Sequence, residues 1–163
     1  MPKAREHGYQ VTARWMGNTG AGTGNYKSYG RDVEIVAPGK PTMIPGSADT
    51  TFLGTAERWN PEEMLVASLS ACHMLSYLAA CALRGVVVTS YEDTAHGSMT
   101  ETGGSGQFTE VVLRPVVTVA EEGMVAAATE LHEAAHRACF IANSVNFPVR
   151  YEPSVRSAGP EGQ

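Results

Sequence analysis

The chain has 163 residues, of which 43% are hydrophobic and 18% are charged, and its formal net charge is −5. This length and composition predict a globular chain with its own core, and they exclude a disulfide-rich miniprotein and a largely disordered polypeptide. The acidic balance and the scattered Lys and Arg residues argue against nucleic-acid binding. The first eight residues contain no apolar stretch of the kind found in secretory signals, so we expect a cytoplasmic protein.

The first third of the chain is predicted to form a β-hairpin followed by a loop. Residues 9–16 and 26–36 have the composition of strands, and the glycine-rich segment at residues 17–24 between them favours a turn. That segment neither opens a helix nor carries Gly-Lys-Ser/Thr, so phosphate binding is not expected. Residues 38–55 contain three prolines and predict a connecting loop.

A long helix is predicted to begin at Pro61. Asn60 is a favourable N-cap, and Glu63 can complete a capping box with it. The apolar pattern continues to Leu83, and Gly85 is typical of a helix C-terminus. Apolar residues cover nearly every side of this helix, as in a helix buried within an assembly. Ser and His residues interrupt the run too often for a membrane span.

The second half of the chain repeats this layout. Residues 86–99 and 108–119 are predicted to form a second hairpin, residues 124–140 a second helix, and residues 145–151 a closing strand. The order ββ-α-ββ-α-β predicts an α+β fold in which sheet segments pack on two core helices. We expect one domain over residues 1–163, with flexible tails at residues 1–7 and 156–163.

Three cysteines are candidates for redox chemistry, because an odd number of cysteines in a chain without a secretory signal does not indicate a structural disulfide framework. Cys72 lies within the long helix, and Cys139 lies on the second helix, where it could face Cys72 across the core. Cys81 lies nine residues after Cys72, on the opposite side of the same helix. We therefore interpret Cys81 as a packing residue.

Two segments resemble a known family. The segment Asn60–His73, NPEEMLVASLSACH, resembles the Asn-Pro-Glu-Glu-Leu and Ala-Cys-His pattern of the OsmC/Ohr family of osmotically inducible and organic hydroperoxide resistance proteins. The similarity extends to the first hairpin and to Ala134–Cys139, AAHRAC, and so covers most of the chain.

The resemblance implies a cysteine-based peroxidase that reduces organic hydroperoxides and works as an intertwined homodimer. It implies that Cys72 is the peroxidatic thiol and that Cys139 is the resolving thiol. Glu62 would hold an arginine against the thiolate, and the reductant would be a dihydrolipoyl group on a protein. No metal or organic cofactor is implied.

Two arginines are candidates for the thiolate partner. Arg31, in Gly30-Arg31-Asp32, resembles the arginine of the Ohr branch and is preferred, with Arg58 as the alternative. Ten residues of straight helix separate Glu62 from Cys72 by about 15 Å. Glu62 is therefore expected to complete the partner chain's site, unless the helix bends.

One departure from the family pattern affects the second cysteine. Many members follow this cysteine with proline, whereas this chain has Phe140. Without the proline, the second helix is expected to continue past Cys139, which would restrict the movement of its sulfur.

Two alternative functions follow from other features of the sequence. His132-Glu133-Ala134-Ala135-His136 matches the His-Glu-x-x-His pattern of zinc-dependent hydrolases, in which both imidazoles share one helical face and the glutamate acts as a base. The other alternative is a non-catalytic, ligand-binding dimer whose thiols only pack. His73 follows Cys72 directly but points about 100° away around the helix, so it is not favoured as a base.

Overall fold

The computed structural model describes residues 4–159, so residues 1–3 and 160–163 of the predicted tails lie outside the described residues. Contacts divide the chain into two compact units, residues 1–64 and 65–163. The prediction of one domain stays a prediction. The strands are β1 (Thr12–Trp15), β2 (Val33–Val36), β3 (Ile44–Gly46), β4 (Val88–Asp93), β5 (His96–Thr102), β6 (Ser105–Leu113), β7 (Pro115–Val119), β8 (Val149–Tyr151) and β9 (Ser154–Ser157). The helices are α1 (Pro61–Leu83) and α2 (Val125–Ala138).

The first unit contains an antiparallel sheet in the order β1-β2-β3. The predicted pairing of the first two strands is confirmed, although both strands are shorter than predicted. The predicted loop at residues 38–55 is wrong in part, because it contains β3, which pairs with β2 through Ile44 and Ile35. Pro45 masks this strand in the sequence, since a proline has no N–H and is tolerated mainly on edge strands such as β3.

The start and end of α1 follow the predicted signals. The side chain of Asn60 accepts a hydrogen bond from the Glu63 backbone N–H at 2.7 Å, and the Glu63 carboxylate accepts one from the Asn60 N–H at 3.1 Å. The helix ends at Leu83, and Gly85 follows with φ +70°. This reciprocal cap and the left-handed glycine fix both ends of the helix locally.

The helix α1 is long and apolar enough, by length and composition alone, to cross a membrane. Its polar side chains nevertheless have protein partners. The Ser70 hydroxyl donates to the Asp93 carboxylate at 2.5 Å, and the Nε2 atom of His73 lies 3.0 Å from Nδ1 of His132. These contacts favour the predicted core helix over a membrane span.

The second unit contains two mixed sheets, in the orders β4-β7-β9 and β5-β6-β8. The predicted hairpin is confirmed at β5 and β6, where Gly103 and Gly104 form the turn with φ +63° and +80°. Each long predicted strand is divided between the two sheets. The Asp93 carboxylate accepts a hydrogen bond from the Arg114 N–H at 2.6 Å at this division. Pro115 then begins β7, where a strand tolerates proline.

Two apolar clusters hold the helices on these sheets. One packs α1 and α2 against β7, and the other packs α1 against β6 and the segment before β8. The buried members of the first are Tyr77, Cys81, Val86, Val117, Val119, Ala128, Leu131 and Ala135. Those of the second are Leu69, Phe108, Val111 and Leu113. This arrangement confirms the predicted α+β fold.

The end of the chain differs from the prediction in two places. The helix α2 stops at Ala138, and Cys139 is extended with φ −71° and ψ 106°. The expectation that the helix continues past Cys139 is therefore wrong. The strand β9 pairs with β7 in parallel through Ser157, so residues 156 and 157 of the predicted tail lie in a sheet.

Candidate functional site

The structure brings Cys72 and Cys139 together. Cys72 lies in the middle of α1, and Cys139 lies immediately after the end of α2. Both thiols are free, and Cys72 is close enough to Cys139 to raise the pKa of the Cys139 thiol. Cys72 is half-buried, whereas Cys139 is buried. A small oxidant in solvent can therefore reach the first sulfur more easily than the second.

Cys139 has its own local environment. Burial raises the pKa of its thiol, and the hydrogen bond with Cys72 acts in the same direction. The Ala142 N–H donates to the Cys139 sulfur at 3.5 Å and opposes this effect. The Cys139 sulfur is therefore a protonated thiol in neutral solution, and the nearby backbone N–H provides some stabilisation when it becomes negative.

Cys81 lies apart from this pair, in the apolar cluster between α1 and β7. Burial raises the pKa of its thiol, although a hydrogen bond with Tyr77 opposes this. The Cys81 thiol is therefore protonated in neutral solution, and it packs among apolar side chains rather than beside Cys72. This position agrees with the interpretation of Cys81 as a packing residue.

Arg31 lies in the first unit, and its guanidinium folds over the loop that precedes β2. It lies 4.7 Å from the ring centroid of Tyr26 and 3.9 Å from that of Tyr29. It also donates hydrogen bonds to the carbonyl oxygens of the same two residues. Two of the five N–H donors of this arginine are therefore bonded to the loop, and its charge lies over two aromatic rings.

Arg58 and Glu62 also lie in the first unit. The Nε of Arg58 is 3.1 Å from the Asp32 carboxylate, and the pKa of Asp32 is lowered by the Thr55 hydroxyl and by Arg58. Among the described residues, Nη1 of Arg58 and Oε2 of Glu62 are buried without a hydrogen-bond partner. Buried polar atoms without partners are uncommon and require an explanation. Arg58, unlike Arg31, thus retains a buried donor that is available to another group.

A buried imidazole pair is the feature that the sequence interpretation missed. His73 and His132 are almost inaccessible to solvent, and their rings approach edge to edge with Nε2 and Nδ1 3.0 Å apart. The Tyr77 ring stacks on His132 with centroids 3.9 Å apart. The helical spacing of His132 from Leu131 and Ala135 predicts a core face, but nothing local identifies His73 as its partner.

The His-Glu-x-x-His pattern is not arranged as a metal site. The Nδ1 of His132 is occupied by His73, and Glu133 faces solvent in an ion pair with Arg137. Within residues 4–159, no three His, Cys, Asp or Glu side chains are grouped as metal ligands. Glu133 is therefore not positioned as a base beside the two imidazoles.

Comparison with known proteins identifies the family. The family model described as OsmC-like protein matches residues 54–154. This chain belongs to the OsmC-like family. The family resemblance of the two cysteine segments is thereby confirmed.

Three relatives illustrate how this OsmC-like chain compares with other proteins. An OsmC-like protein of unknown function from Vibrio cholerae is 32% identical, with a TM-score of 0.81 over 91% of this chain and 100% of that one. The uncharacterized protein YmaD of Bacillus subtilis is 25% identical over 94% of this chain and 98% of its own length. An organic hydroperoxide resistance protein from Elizabethkingia anophelis is 15% identical, with a TM-score of 0.67 over 96% and 100%, and this shows the shared fold.

The imidazole pair predicts that this OsmC-like protein loses stability in mild acid. Burial lowers the pKa of His73 to about 4, with His136 acting in the same direction and Asp93 opposing it. Burial also lowers the pKa of His132 to about 4, and His73 adds to this. In the unfolded chain a histidine titrates near pH 6.5, so the unfolded state gains protons first. The contribution of the two neutral imidazoles to the free energy of unfolding is therefore complete above pH 6.5 and is lost as the pH falls towards 4.

Urea unfolding followed by circular dichroism at several pH values measures this loss. The urea midpoint is expected to be constant from pH 8 to 7 and to fall continuously from pH 6.5 to 4. His132→Asn removes one of the two titrating groups and should make this fall less steep. A midpoint that is unchanged between pH 7 and 5 in the native protein would contradict the prediction.

Proposed function

We propose that this chain is a cysteine-based peroxidase that reduces organic hydroperoxides to alcohols. The observation that carries the proposal is the contact between two free thiols of unequal exposure, Cys72 and Cys139. The half-buried thiol can meet the peroxide, and the buried thiol is placed to react with the product on the first sulfur. A pair of packing cysteines would not require this difference in exposure.

The proposed reaction has two steps. The Cys72 thiolate attacks the distal oxygen of the hydroperoxide, the O–O bond breaks, and the alkoxide takes up a proton to leave as the alcohol. Cys72 is then a sulfenic acid. Cys139 loses its proton, and its sulfur attacks Cys72 and displaces hydroxide, which takes up that proton to become water. The sulfurs lose two electrons and the peroxide gains them.

The proposed substrates are alkyl or fatty-acid hydroperoxides. Cys72 is carried by a helix with very few charged residues, and burying the apolar tail of a substrate contributes about 0.8 kcal/mol per methylene. The fold shared with an organic hydroperoxide resistance protein supports this class. Hydrogen peroxide lacks such a tail and should be a poorer substrate.

We assign the support of the thiolate to Arg58 and Glu62 rather than to Arg31. A thiolate in an apolar site requires a cation to stabilise its charge. The partnerless buried Nη1 of Arg58 can supply this cation, and the partnerless Glu62 carboxylate oxygen can hold an arginine in place, whereas Arg31 contacts Tyr26 and Tyr29 of its own loop. Because α1 is continuous from Pro61 to Leu83, we retain the hypothesis that Glu62 completes the site of a partner chain.

A homodimer is proposed as the working form. Only 22% of an apolar stretch of 18 residues in α1 is buried in the single chain. Leu75 and Leu83 are 67% and 86% exposed. A second copy covering this face would remove apolar surface from water.

We further propose a cytoplasmic location and a dihydrolipoyl protein as reductant, which returns two electrons to the disulfide.

The proposal is tested by peroxidase assays of the purified protein with cumene hydroperoxide and dihydrolipoamide. We expect turnover with cumene hydroperoxide that clearly exceeds turnover with hydrogen peroxide. Without reductant, a stoichiometric amount of cumene hydroperoxide should remove two free thiols per chain. A protein whose three thiols all survive this treatment would instead be the non-catalytic, ligand-binding dimer.

A further inference from the structure

Polar side chains of α1 approach α2, or the residue that follows it, at three places in the second unit. At the first, Cys72 is close enough to Cys139 to raise the pKa of the Cys139 thiol. The imidazoles of His73 and His132 form the second, with 3.0 Å between Nε2 and Nδ1. The third is the hydrogen bond from the Tyr77 hydroxyl to the Ala128 carbonyl oxygen at 2.9 Å. The two helices therefore run antiparallel along this seam, with the thiols at one end of it.

The geometry of the imidazole pair is that of a hydrogen bond rather than of stacked rings. The ring planes of His73 and His132 are 7° apart, and the centroids are 5.3 Å apart. Face-to-face contact brings centroids closer, as in the stacking of Tyr77 on His132 at 3.9 Å. Nearly parallel planes with short nitrogen separation place the two rings edge to edge, so one nitrogen donates and the other accepts.

Neither ring has an alternative partner in the described part of the chain. A neutral imidazole carries one N–H and one lone pair. The other ring nitrogens, Nδ1 of His73 and Nε2 of His132, are buried and without a hydrogen-bond partner among residues 4–159. Separating the helices would therefore leave both buried rings without any hydrogen bond. This makes the His73–His132 contact a strong constraint on the distance between the helices.

We propose that His73 and His132 are positioning residues that hold the two thiols in contact and thereby favour the disulfide over the dithiol. His73 is adjacent to Cys72 on α1, and His132 lies on α2 about two turns before the end of the helix, which Cys139 follows directly. Fixing the two helices at the imidazoles restricts the separation of the sulfurs. The inference rests on the proposed redox chemistry of the cysteines, but it concerns the disulfide equilibrium and not the reaction with peroxide.

The thiol–disulfide equilibrium with glutathione tests this role. Cys72 and Cys139 give two electrons and two protons to one glutathione disulfide, and two glutathione molecules form with the protein disulfide. His132→Leu removes the hydrogen bond and retains an apolar side chain. We expect it to lower the equilibrium constant for the protein disulfide about fivefold, the effect of losing one buried hydrogen bond.

Two further variants separate positioning from general stability. His132→Asn places an amide atom near the position of Nδ1, where it can hydrogen-bond to His73. The equilibrium constant that His132→Leu lowers should therefore stay within about twofold of the native value in His132→Asn. Tyr77→Phe removes the other hydrogen bond between the helices, farther from both thiols. It should reduce the stability to urea but change the glutathione equilibrium less than twofold. If His132→Leu and Tyr77→Phe shift the equilibrium equally, or if His132→Leu does not shift it, the proposal is wrong.

The native protein provides a test that does not depend on folding of the variants. Coupling is reciprocal, so a hydrogen bond that favours the disulfide must itself be strengthened by the disulfide. We expect the imidazole N–H proton between His73 and His132 to exchange with water more slowly in the oxidised protein, as measured by NMR. Equal exchange rates would overturn the proposal. No hydroperoxide is present in either experiment, so peroxidase assays test the proposed function separately.

Discussion

Replacing Cys72 with serine is expected to lower kcat/KM for cumene hydroperoxide about a thousandfold or more, which is a typical effect of removing the nucleophile of a covalent mechanism. A serine hydroxyl remains protonated at neutral pH and does not attack the peroxide oxygen. The side chain is nearly the same size and is half-buried, so the fold should be retained. Steady-state assays with dihydrolipoamide measure the loss, and circular dichroism confirms the fold.

The other two cysteines provide matched controls for this experiment. Cys139→Ser leaves the first step intact, so one equivalent of hydroperoxide should be consumed and a sulfenic acid should remain on Cys72 for trapping by dimedone. Cys81→Ala should retain activity within about threefold, because its thiol packs in the apolar cluster beside Tyr77 and not beside Cys72. Full activity of Cys72→Ser, or loss of activity only in Cys81→Ala, would contradict the assignment of the nucleophile.

Replacing Arg58 with methionine is expected to reduce kcat/KM about a hundredfold. The loss of one fixed, charged hydrogen-bond donor beside an anion such as the Cys72 thiolate has an effect of this size. Arg31→Met should change kcat/KM less than about threefold, because its guanidinium is occupied by the rings of Tyr26 and Tyr29. Arg58→Lys retains the charge but not the planar donors, and should have intermediate activity.

The rate of alkylation of Cys72 by iodoacetamide at pH 7 separates this role from a structural one. Arg58 also holds the Asp32 carboxylate, so its loss affects the first unit as well. Asp32→Asn weakens the same ion pair while keeping the arginine, and should leave the alkylation rate nearly unchanged. The assignment fails if Arg58→Met alkylates as fast as the native protein, or if Arg31→Met causes the larger loss of activity.

Local signals in the sequence determined much of the fold. The reciprocal cap of Asn60 and Glu63 and the glycine at position 85 define α1 through contacts within a few residues. The second hairpin was likewise predictable, because Gly103 and Gly104 form its turn with positive φ. Such features depend on neighbouring residues, so a single sequence is enough to identify them.

The same local rules failed where a distant contact decided the structure. Pro45 suggested a loop, but pairing with β2 makes residues 44–46 an edge strand. The absence of proline after Cys139 suggested a longer helix, yet α2 ends at Ala138 and Cys139 is extended. The division of the long predicted strands between two sheets at Asp93 and Arg114 depends on a contact across the second unit.

The residues of the candidate site show the same division between sequence and tertiary structure. Local motifs made Cys72, Cys139 and Glu62 candidates, because each lies within a recognisable segment. Only packing of α1 against α2 placed the two thiols in contact and paired His73 with His132 across 59 residues of chain. The proposal of Arg58 rather than Arg31 also rests on the tertiary structure, since the groups available to an arginine depend on which rings and carboxylates surround it.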